Sequence, residues 1–511
     1  MRISSTLFFQ TGLNSINAQQ SDLMHLYQQI GSGRRMVTPA DDPLAAAQAI
    51  NISQSQSLNK RYADNRAVAK QNLGIEDNTL FSVTNLLQDI KTRLVEAGNG
   101  TMSDADRATL SNVLVNSRTT LLGLANATDG SGQYLFSGAK GGTAAFQDVN
   151  GKIVYMGDQG QRKIQADQTR QIPGSDVGTD IFNRAAPGTN SYLSRALDTN
   201  TGTGIMSGPE ITDPNGANIG NVFSVEFTSP TEYTVQVTDA TGATVQTVTG
   251  NAYDPASGSK LTLPGGVQVS FSGAPATGDT FKIEPASAPD HVGTADAANT
   301  GGATIFSPTL SDYSISRPGD VYSIAFTGPD QYEVTVNNTI TGTTETFPPQ
   351  TFVPGRENTL SLPYGMQVKI SGSPAAGDAF TVQAADQNVK TDLNIFNTLD
   401  DIIAALENPM EGDPAAVAMF QNVLSTAIQR IDVNYNNVLT VRASVGTRLN
   451  ELDAIDANGN QRALSYSAQL SAMEDVDYYS TSTQLTLRTA ALEAASLAFR
   501  KIQATSLFNM K

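Results

Sequence analysis

Leu13-Asn-Ser-Ile-Asn-Ala-Gln-Gln-Ser-Asp-Leu-Met-His-Leu-Tyr-Gln-Gln-Ile30 and Leu485-Thr-Leu-Arg-Thr-Ala-Ala-Leu-Glu-Ala-Ala-Ser-Leu-Ala-Phe-Arg-Lys-Ile502 stand near opposite ends of a 511-residue chain and read alike. In the first, Leu13, Ile16, Gln20, Leu23, Tyr27 and Ile30 follow alternating steps of three and four, which sets apolar residues and one Gln along a single helical seam. In the second, Leu485, Arg488, Leu492, Ala495, Phe499 and Ile502 keep the same step. The remaining positions are mostly Ser, Gln, Asn, Thr and Ala. These give an isolated helix little stability, so packing must supply it. Two readings follow: the ends form a two-helix core inside one globular domain, or they pack against copies from other subunits.

Working inward, Leu73, Leu80, Val83, Leu87, Ile90 and Leu94 hold a heptad register in a segment from Leu58 to about Ala97, with Gly98-Asn99-Gly100 as the stop. A second helix from Asp104 to about Ala127 uses Leu110, Val113, Ser117, Leu121 and Leu124 and starts from a Ser103/Asp104 cap. A third long helix opens near Pro414, a residue suited to the first turn, and ends at Asp456-Ala-Asn-Gly-Asn460. The last helix then begins near Gln461. These elements predict a rod of antiparallel helices.

Between about residues 134 and 390 Gly, Thr, Val and alternating apolar positions replace the helical pattern. Gly151–Met156 and Gln161–Ala166, joined through Gly157-Asp-Gln-Gly160, predict a β-hairpin. Beyond it the chain repeats itself: Val222, Phe227, Tyr233, Leu263, Asp279 and Phe281 recur as Val321, Phe326, Tyr332, Leu362, Asp378 and Phe380, each 99 positions later. Such spacing marks a duplication into two similar β modules. The fold expected is therefore α + β and multidomain: terminal coiled-coil helices and an antiparallel helical rod, with a β-hairpin and two tandem inserted modules of sandwich or barrel type. The domains expected are 1–45 with 465–511, 46–185 with 391–464, 186–290, and 291–390.

Composition excludes several functions. With no Cys there are no disulfides, thiolate metal sites or thiol nucleophiles. The net charge is −17, distributed as 0 over residues 1–135, −11 over 136–390 and −6 over 391–511. An acidic surface repels phosphate backbones and anionic lipid, so neither nucleic acid nor membrane insertion is expected. The start SSTLFFQTGLNSINAQQ lacks a continuous apolar core, so no cleavable signal peptide is expected. The two histidines, His25 on a polar helix position and His291 in an Ala/Asp/Gly linker, are expected to be solvated. Asp453, Asp456, Asn458 and Asn460 do not make a calcium loop, because Ser467 stands where the bidentate Glu belongs. No catalytic residues, metal site or cofactor are expected. Glu474, Asp475 and Asp477 read either as a solvated acidic face or as partners of Arg34 and Arg35. The aromatic pairs Tyr233/Tyr332 and Phe281/Phe380 sit in strand-like alternation and read as core.

Two motifs then carry a resemblance. Ile30-Gly-Ser-Gly-Arg-Arg-Met-Val-Thr-Pro-Ala-Asp-Asp-Pro-Leu-Ala-Ala-Ala-Gln-Ala49 resembles the N-terminal signature of the flagellin superfamily, and Ser471-Ala-Met-Glu-Asp-Val-Asp-Tyr-Tyr479 resembles its C-terminal signature. The resemblance covers about residues 1–135 and 391–511. Thr38-Pro-Ala-Asp-Asp-Pro43 and Tyr134-Leu-Phe-Ser-Gly138 followed by Val154-Tyr-Met-Gly-Asp-Gln-Gly-Gln161 are similar to the hook–filament junction branch of that superfamily, and the end Ser506-Leu-Phe-Asn-Met-Lys511 is unlike the Gln/Leu-rich tail that many flagellins carry.

The resemblance implies a structural, non-enzymatic component of the extracellular bacterial flagellum, exported unfolded through a type III apparatus with the help of a flagellar export chaperone. It implies self-assembly into a ring that stacks on the preceding hook-associated junction protein and templates flagellin. Subunit contacts are expected at Leu13, Ile16, Leu23, Ile30, Leu485, Leu492, Phe499 and Ile502. Arg34, Arg35, Asp41, Asp42, Glu474, Asp475 and Asp477 would set register through charge. Pro39 and Pro43 would hold the connection between them extended. Two other functions stay open: flagellin itself, and an extracellular binding protein whose β modules recognise a surface glycan or protein.

Overall fold

The computed structural model describes the backbone of residues 5–287, 290–306, 308–310, 315–317, 319–386 and 391–508, and their side chains except at 5–6, 8–9 and 502–508. In chain order, helices α1 (Ser5–Ser32), α2 (Pro43–Ala97) and α3 (Asp104–Ala125) precede strands β1 (Phe146–Val149), β2 (Lys152–Tyr155), β3 (Lys163–Gln165) and β4 (Gln171–Pro173) and the short α4 (Gly178–Phe182). A first β region follows with β5 (Tyr192–Ala196), β6 (Ile205–Ile211), β7 (Val222–Ser229), β8 (Glu232–Thr238), β9 (Thr244–Ala252), β10 (Ser259–Leu263), β11 (Val267–Ser272) and β12 (Thr280–Pro285). A second has β13 (His291–Ala295), β14 (Thr304–Ile305), β15 (Thr309–Leu310), β16 (Asp320–Gly328), β17 (Gln331–Asn338), β18 (Thr344–Thr351), β19 (Arg356–Ser361), β20 (Met366–Gly372) and β21 (Ala379–Ala384). The chain closes with α5 (Ile395–Glu407), α6 (Pro414–Glu474) and α7 (Tyr478–Phe508).

These elements form two compact units: residues 1–68, 164–172 and 450–511, and residues 69–163 with 173–449. The larger unit is built on the heptad leucines of α2. Leu80, Val83, Leu87, Ile90 and Leu94 are fully buried against α3, α5 and α6. In this unit α2 and α6 run antiparallel, with Arg442 Nε donating to Asp77 Oδ1 at 3.0 Å and Lys91 Nζ meeting Asp432 Oδ1 at 2.5 Å. Phe146, Phe182 and Phe396 bind the β1–β2 hairpin and α4 to the α5 helix, with ring centroids 5.3 to 6.3 Å apart. The Ser103 cap forms as the sequence predicts and is completed by Asp106, whose carboxylate accepts the Ser103 N–H at 3.1 Å.

Pairing of the short strands differs from the predicted hairpin. β2 pairs backwards with β1 through a turn at Asn150-Gly151, both at positive φ, and β3 pairs forwards with β4. The Asn-Gly dipeptide supplies the left-handed turn that a two-residue hairpin needs. Residues 157–160 instead wrap the Asp158 carboxylate, which accepts the N–H groups of Ala139 at 2.7 Å and Gly160 at 2.9 Å.

The duplicated stretches adopt matching topology. One five-stranded antiparallel sheet has the order β5-β12-β7-β8-β9, and the other β13-β21-β16-β17-β18. The remaining strands form a sheet of order β10-β11-β6 in the first copy and one of β14, β15 and β19 around β20 in the second. His291 therefore lies in β13, opposite Ala384, and not in a linker. Tyr233, Phe281, Tyr332 and Phe380 are buried in the two cores. The same side-chain clamp recurs in both: Asn200 bridges the backbone of Thr280 with bonds of 2.7 and 2.9 Å, and Asn299 bridges Ala379 with the same lengths. Asp279 gathers the N–H groups of Thr201, Gly202 and Ala276, as Asp378 gathers those of Thr300, Gly301 and Ala375.

In the smaller unit the third long helix does not stop at residues 456–460. It continues to Glu474, and the break falls at Asp475–Asp477. The cause is Arg66 of α2, fully buried, whose Nε donates to Asp456 Oδ1 at 2.9 Å and whose Nη1 donates to Ala166 O at 3.0 Å. Gly459 leaves room for this guanidinium, and Asn59 Nδ2 donates to Gly459 O at 2.8 Å. A glycine that reads as a helix terminator is here a packing site within a helix.

Candidate functional site

The terminal helices α1 and α7 pair antiparallel. Gly12 faces Phe499, Asp22 bonds Arg488 at 3.1 Å, and Gly33 faces the Tyr478 hydroxyl. The side chains on the α1 inner face are Gly12, Ile16, Gln19, Leu23, Leu26 and Ile30, again in steps of four and three. Ile16, Leu23 and Ile30 thus lie on the predicted seam. Leu13 and Tyr27 do not: they are 42% and 54% exposed, one position round from the groove. On α7 Leu485, Leu492, Ala495 and Phe499 turn inward, while Arg488 remains at the rim in its ion pair. The side chain of Ile502 lies outside the described residues, as does the end of the chain after Phe508.

The charged residues of the two signatures are brought together at the end of this pair. Gly33 adopts φ +71°, a left-handed cap that ends α1 and that glycine takes without steric cost. The chain then lies beside the α6–α7 break. Arg35 N–H donates to Glu474 O at 2.6 Å, Val476 N–H donates to Gly33 O at 3.0 Å, and Arg34 and Asp475 form a bridge. Arg35 Nε donates to Met473 O at 3.1 Å, and the Arg34 guanidinium stands 3.9 Å from Glu474. Asp475 accepts the Ser471 hydroxyl, and Asp477 caps α7 by accepting the N–H groups of Tyr479 and Ser480.

Asp41 closes the turn before α2. Its carboxylate accepts the N–H groups of Val37 and Thr38 at 2.8 Å each and the Thr38 hydroxyl at 3.0 Å, and it stands 3.1 Å from His25 Nε2. The Thr38 backbone donor holds this carboxyl far below the usual range, aided by His25. Asp42 caps α2 through the Ala45 N–H at 3.0 Å and meets Arg35 at 3.4 Å. Two expectations change as a result. His25 is half-buried against Asp41 rather than solvated, and the segment between Pro39 and Pro43 is a compact turn, with Asp41 N–H donating to Thr38 O at 3.1 Å, rather than an extended connection. Pro43 is simply the first residue of α2.

With the inner groove closed, large apolar side chains are left facing outward: Leu13, Met24 and Tyr27 along one flank of α1, and Leu487 and Leu497 on α7, with exposures from 42% to 65%. Hydropathy alone cannot separate the inner from the outer residues of α1, because both recur at heptad spacing. Among the described residues no cluster of His, Asp and Glu is arranged to hold a metal ion, and no helix is long and apolar enough to cross a membrane.

The family described as "Bacterial flagellin N-terminal helical region" matches residues 3–141. The flagellar hook-associated protein 3 of Salmonella typhimurium is 39% identical over 183 residues, 36% of this chain and 57% of that protein, so the chain spans little more than half of its relative. The B-type flagellin of Pseudomonas aeruginosa is 31% identical over 138 residues, 26% of this chain and 27% of that protein. The crystal structure of Xanthomonas campestris FlgL aligns with 82% of this chain and 99% of its own at 23% identity, with a TM-score of 0.43. Residues 3–141 are thus similar to the N-terminal helical region of bacterial flagellins, and about a third of the chain is similar to flagellar hook-associated protein 3.

Proposed function

We propose that this protein is a structural adaptor of the bacterial flagellum, placed at the hook–filament junction, on which flagellin polymerises. The observation that carries the reading is the set of outward apolar side chains on α1 and α7. A helix pair that has already closed its inner seam has no intramolecular use for five exposed large apolar side chains, whereas neighbouring copies would bury them. In this proposal the copies form a ring through their terminal helices. The ring stacks on the preceding hook-associated protein and presents its helices to flagellin. A flagellar export chaperone covers the helices before secretion, and the site of action is extracellular.

Junction protein is preferred over filament flagellin because the relative named hook-associated protein 3 matches over 57% of its length and the flagellin over 27%. The hydrogen bonds of Arg34, Arg35, Asp41, Asp42, Glu474, Asp475 and Asp477 within the chain support a role in fixing the end of the helix pair, through which register between copies would be set. The test is electron microscopy of cells lacking the gene, with flagellin assayed in the medium. Bare hooks with unpolymerised flagellin outside are expected. Hooks without filaments and no flagellin anywhere would make the chain the filament subunit, and unchanged filaments would overturn both assignments.

A further inference from the structure

The edge of a β-sheet presents unpaired backbone N–H and C=O groups, and soluble proteins close such edges with cover, charge or proline. In the two modules most of these edges are closed. β5 lies against α6: Ser194 N–H donates to Gln429 Oε1 at 2.9 Å, and Thr426 Oγ1 donates to Ser194 O at 2.6 Å. β6 meets the same helix, with Met206 N–H donating to Asn422 Oδ1 at 2.8 Å. β13 is overlain by β14, since a Cβ on Gly293 would come within 2.8 Å of Ile305 Cδ1. β10 carries Lys260, and β19 carries Arg356 and Glu357.

The remaining pair is the most telling, because β9 and β18 are copies of one another. Each carries a bulge at the same place: between the pairs Val235–Val248 and Tyr233–Asn251 in the first module, and between Val334–Phe347 and Tyr332–Gln350 in the second. In β18 the bulge holds Pro348-Pro349, which have no N–H to offer, and Glu345 adds a charge. In β9 it holds Thr249-Gly250 and a second register shift falls at Val245, while the strand Thr244-Val-Gln-Thr-Val-Thr-Gly-Asn-Ala252 has neither charge nor proline and is exposed over Thr244–Thr247. One copy of the duplicated edge is closed and the other is open.

We propose that β9 is a docking edge for a second copy of this chain, pairing antiparallel with the partner's own β9 over Thr244–Val248. Two arguments select this occupant. An incoming strand must itself come from an unprotected edge, and every second copy offers its own β9 as one. Charge points the same way. Residues 136–390 carry a net −11, so two copies repel over most of this region, and β9 is a nine-residue stretch without charge. The pairing is isologous and buries less than the ~1,000 Å² of a stable interface. Its dissociation constant is therefore on the order of 100 μM, and it acts where assembly already holds copies close together.

The test is analytical ultracentrifugation of the full chain up to millimolar concentration, with Met24→Asp added throughout to remove association through the terminal helices. Reversible dimers are expected. Both Val245→Glu/Thr247→Glu and Val245→Lys/Thr247→Lys should raise the dissociation constant at least about tenfold, since two-fold pairing brings each charge close to its own kind. An equimolar mixture of the two variants should dimerise again. A chain that stays monomeric, a dimer indifferent to both substitutions, or a mixture that fails to associate would each overturn the proposal, and none of these outcomes bears on the junction assignment.

Discussion

Gly459→Ala reverses the usual sign of a glycine replacement in a helix. At an ordinary helical position alanine is favoured over glycine by about 1 kcal/mol. Here the added Cβ would stand 2.5 Å from Nη2 and 3.2 Å from Cζ of Arg66. That guanidinium is anchored at two other nitrogens, by Asp456 at 2.9 Å and Ala166 O at 3.0 Å, and is fully buried. It cannot retreat without losing at least one bond of a charged donor, each contributing ~1.5–3 kcal/mol. The loss exceeds the helix gain, and the expected net effect is a destabilisation of about 1–2 kcal/mol. Hydrogen exchange of residues 450–474 in increasing urea reads this locally, so it does not depend on the whole chain unfolding as one unit. A double-mutant cycle isolates the cause: in an Arg66→Ala background the same Gly459→Ala change should stabilise by about 1 kcal/mol. Stabilisation by Gly459→Ala in the native background, or the same sign in both, would refute the reasoning.

Three further outcomes are expected. Tyr364 holds a left-handed backbone at φ +58° beneath the Arg317 guanidinium, where the first module has Gly265; Tyr364→Gly relieves backbone strain but gives up the cation–π contact, the hydroxyl bond to Glu345 and the ring contact with Phe347, and should lower the melting of its module. The reciprocal Gly265→Tyr would drive a Cβ to 2.8 Å from Asn218 at φ +91° and should cost its module more than ~2 kcal/mol in urea unfolding. Fully buried Glu76 accepts the Asp176 N–H at 3.0 Å, and burial, reinforced by the Asp176 carboxylate and opposed by Arg448, raises its pKa well above 4.5. Its stabilising contribution is complete below that value and is lost as pH rises toward the folded-state value; Glu76→Gln should flatten the decline of the urea midpoint toward alkaline pH. Leu492→Asp with Phe499→Asp should unpair α7 from α1, while Met24→Asp should leave the pair intact; both should block filament growth with the β modules still folded, and normal filaments from either would remove the helix pair from the assembly account.

How far the sequence discloses this structure depends on whether neighbours in space reinforce or override the local signal. The duplication is fully legible because the repeated residues do the same work twice: the clamps at Asn200 and Asn299 and the turns gathered by Asp279 and Asp378 are identical in chemistry. The Ser103 cap and the Gly98 stop are local events and appear where the residues place them. The stop read at Asp456–Asn460 fails because Arg66 reaches it from a position 390 residues earlier and gives its polar groups partners within the helix. The amphipathic helix α5 is written locally, with Asn394 accepting two N–H groups ahead of the buried Ile395, Phe396, Leu399, Ile402 and Leu406. At the candidate site the inner seam includes Gly12 and Gln19, which no hydropathy pattern selects, so heptad spacing alone does not show that Leu13 and Tyr27 face outward. The roles of His25 and Asp41 were hidden because their pairing depends on how the turn after Gly33 folds back along α1.

The central claim is that the outward apolar side chains of the terminal helices are buried against neighbouring copies. The chain has no cysteine, so a single Met24→Cys substitution, at a residue 64% exposed on α1, gives one reporter site. Maleimide labelling of the purified protein, compared with labelling of the same protein in isolated hook–filament structures, measures the claim directly. Rapid labelling of the free chain and strong protection in the assembly are predicted; equal labelling in both states would contradict the account.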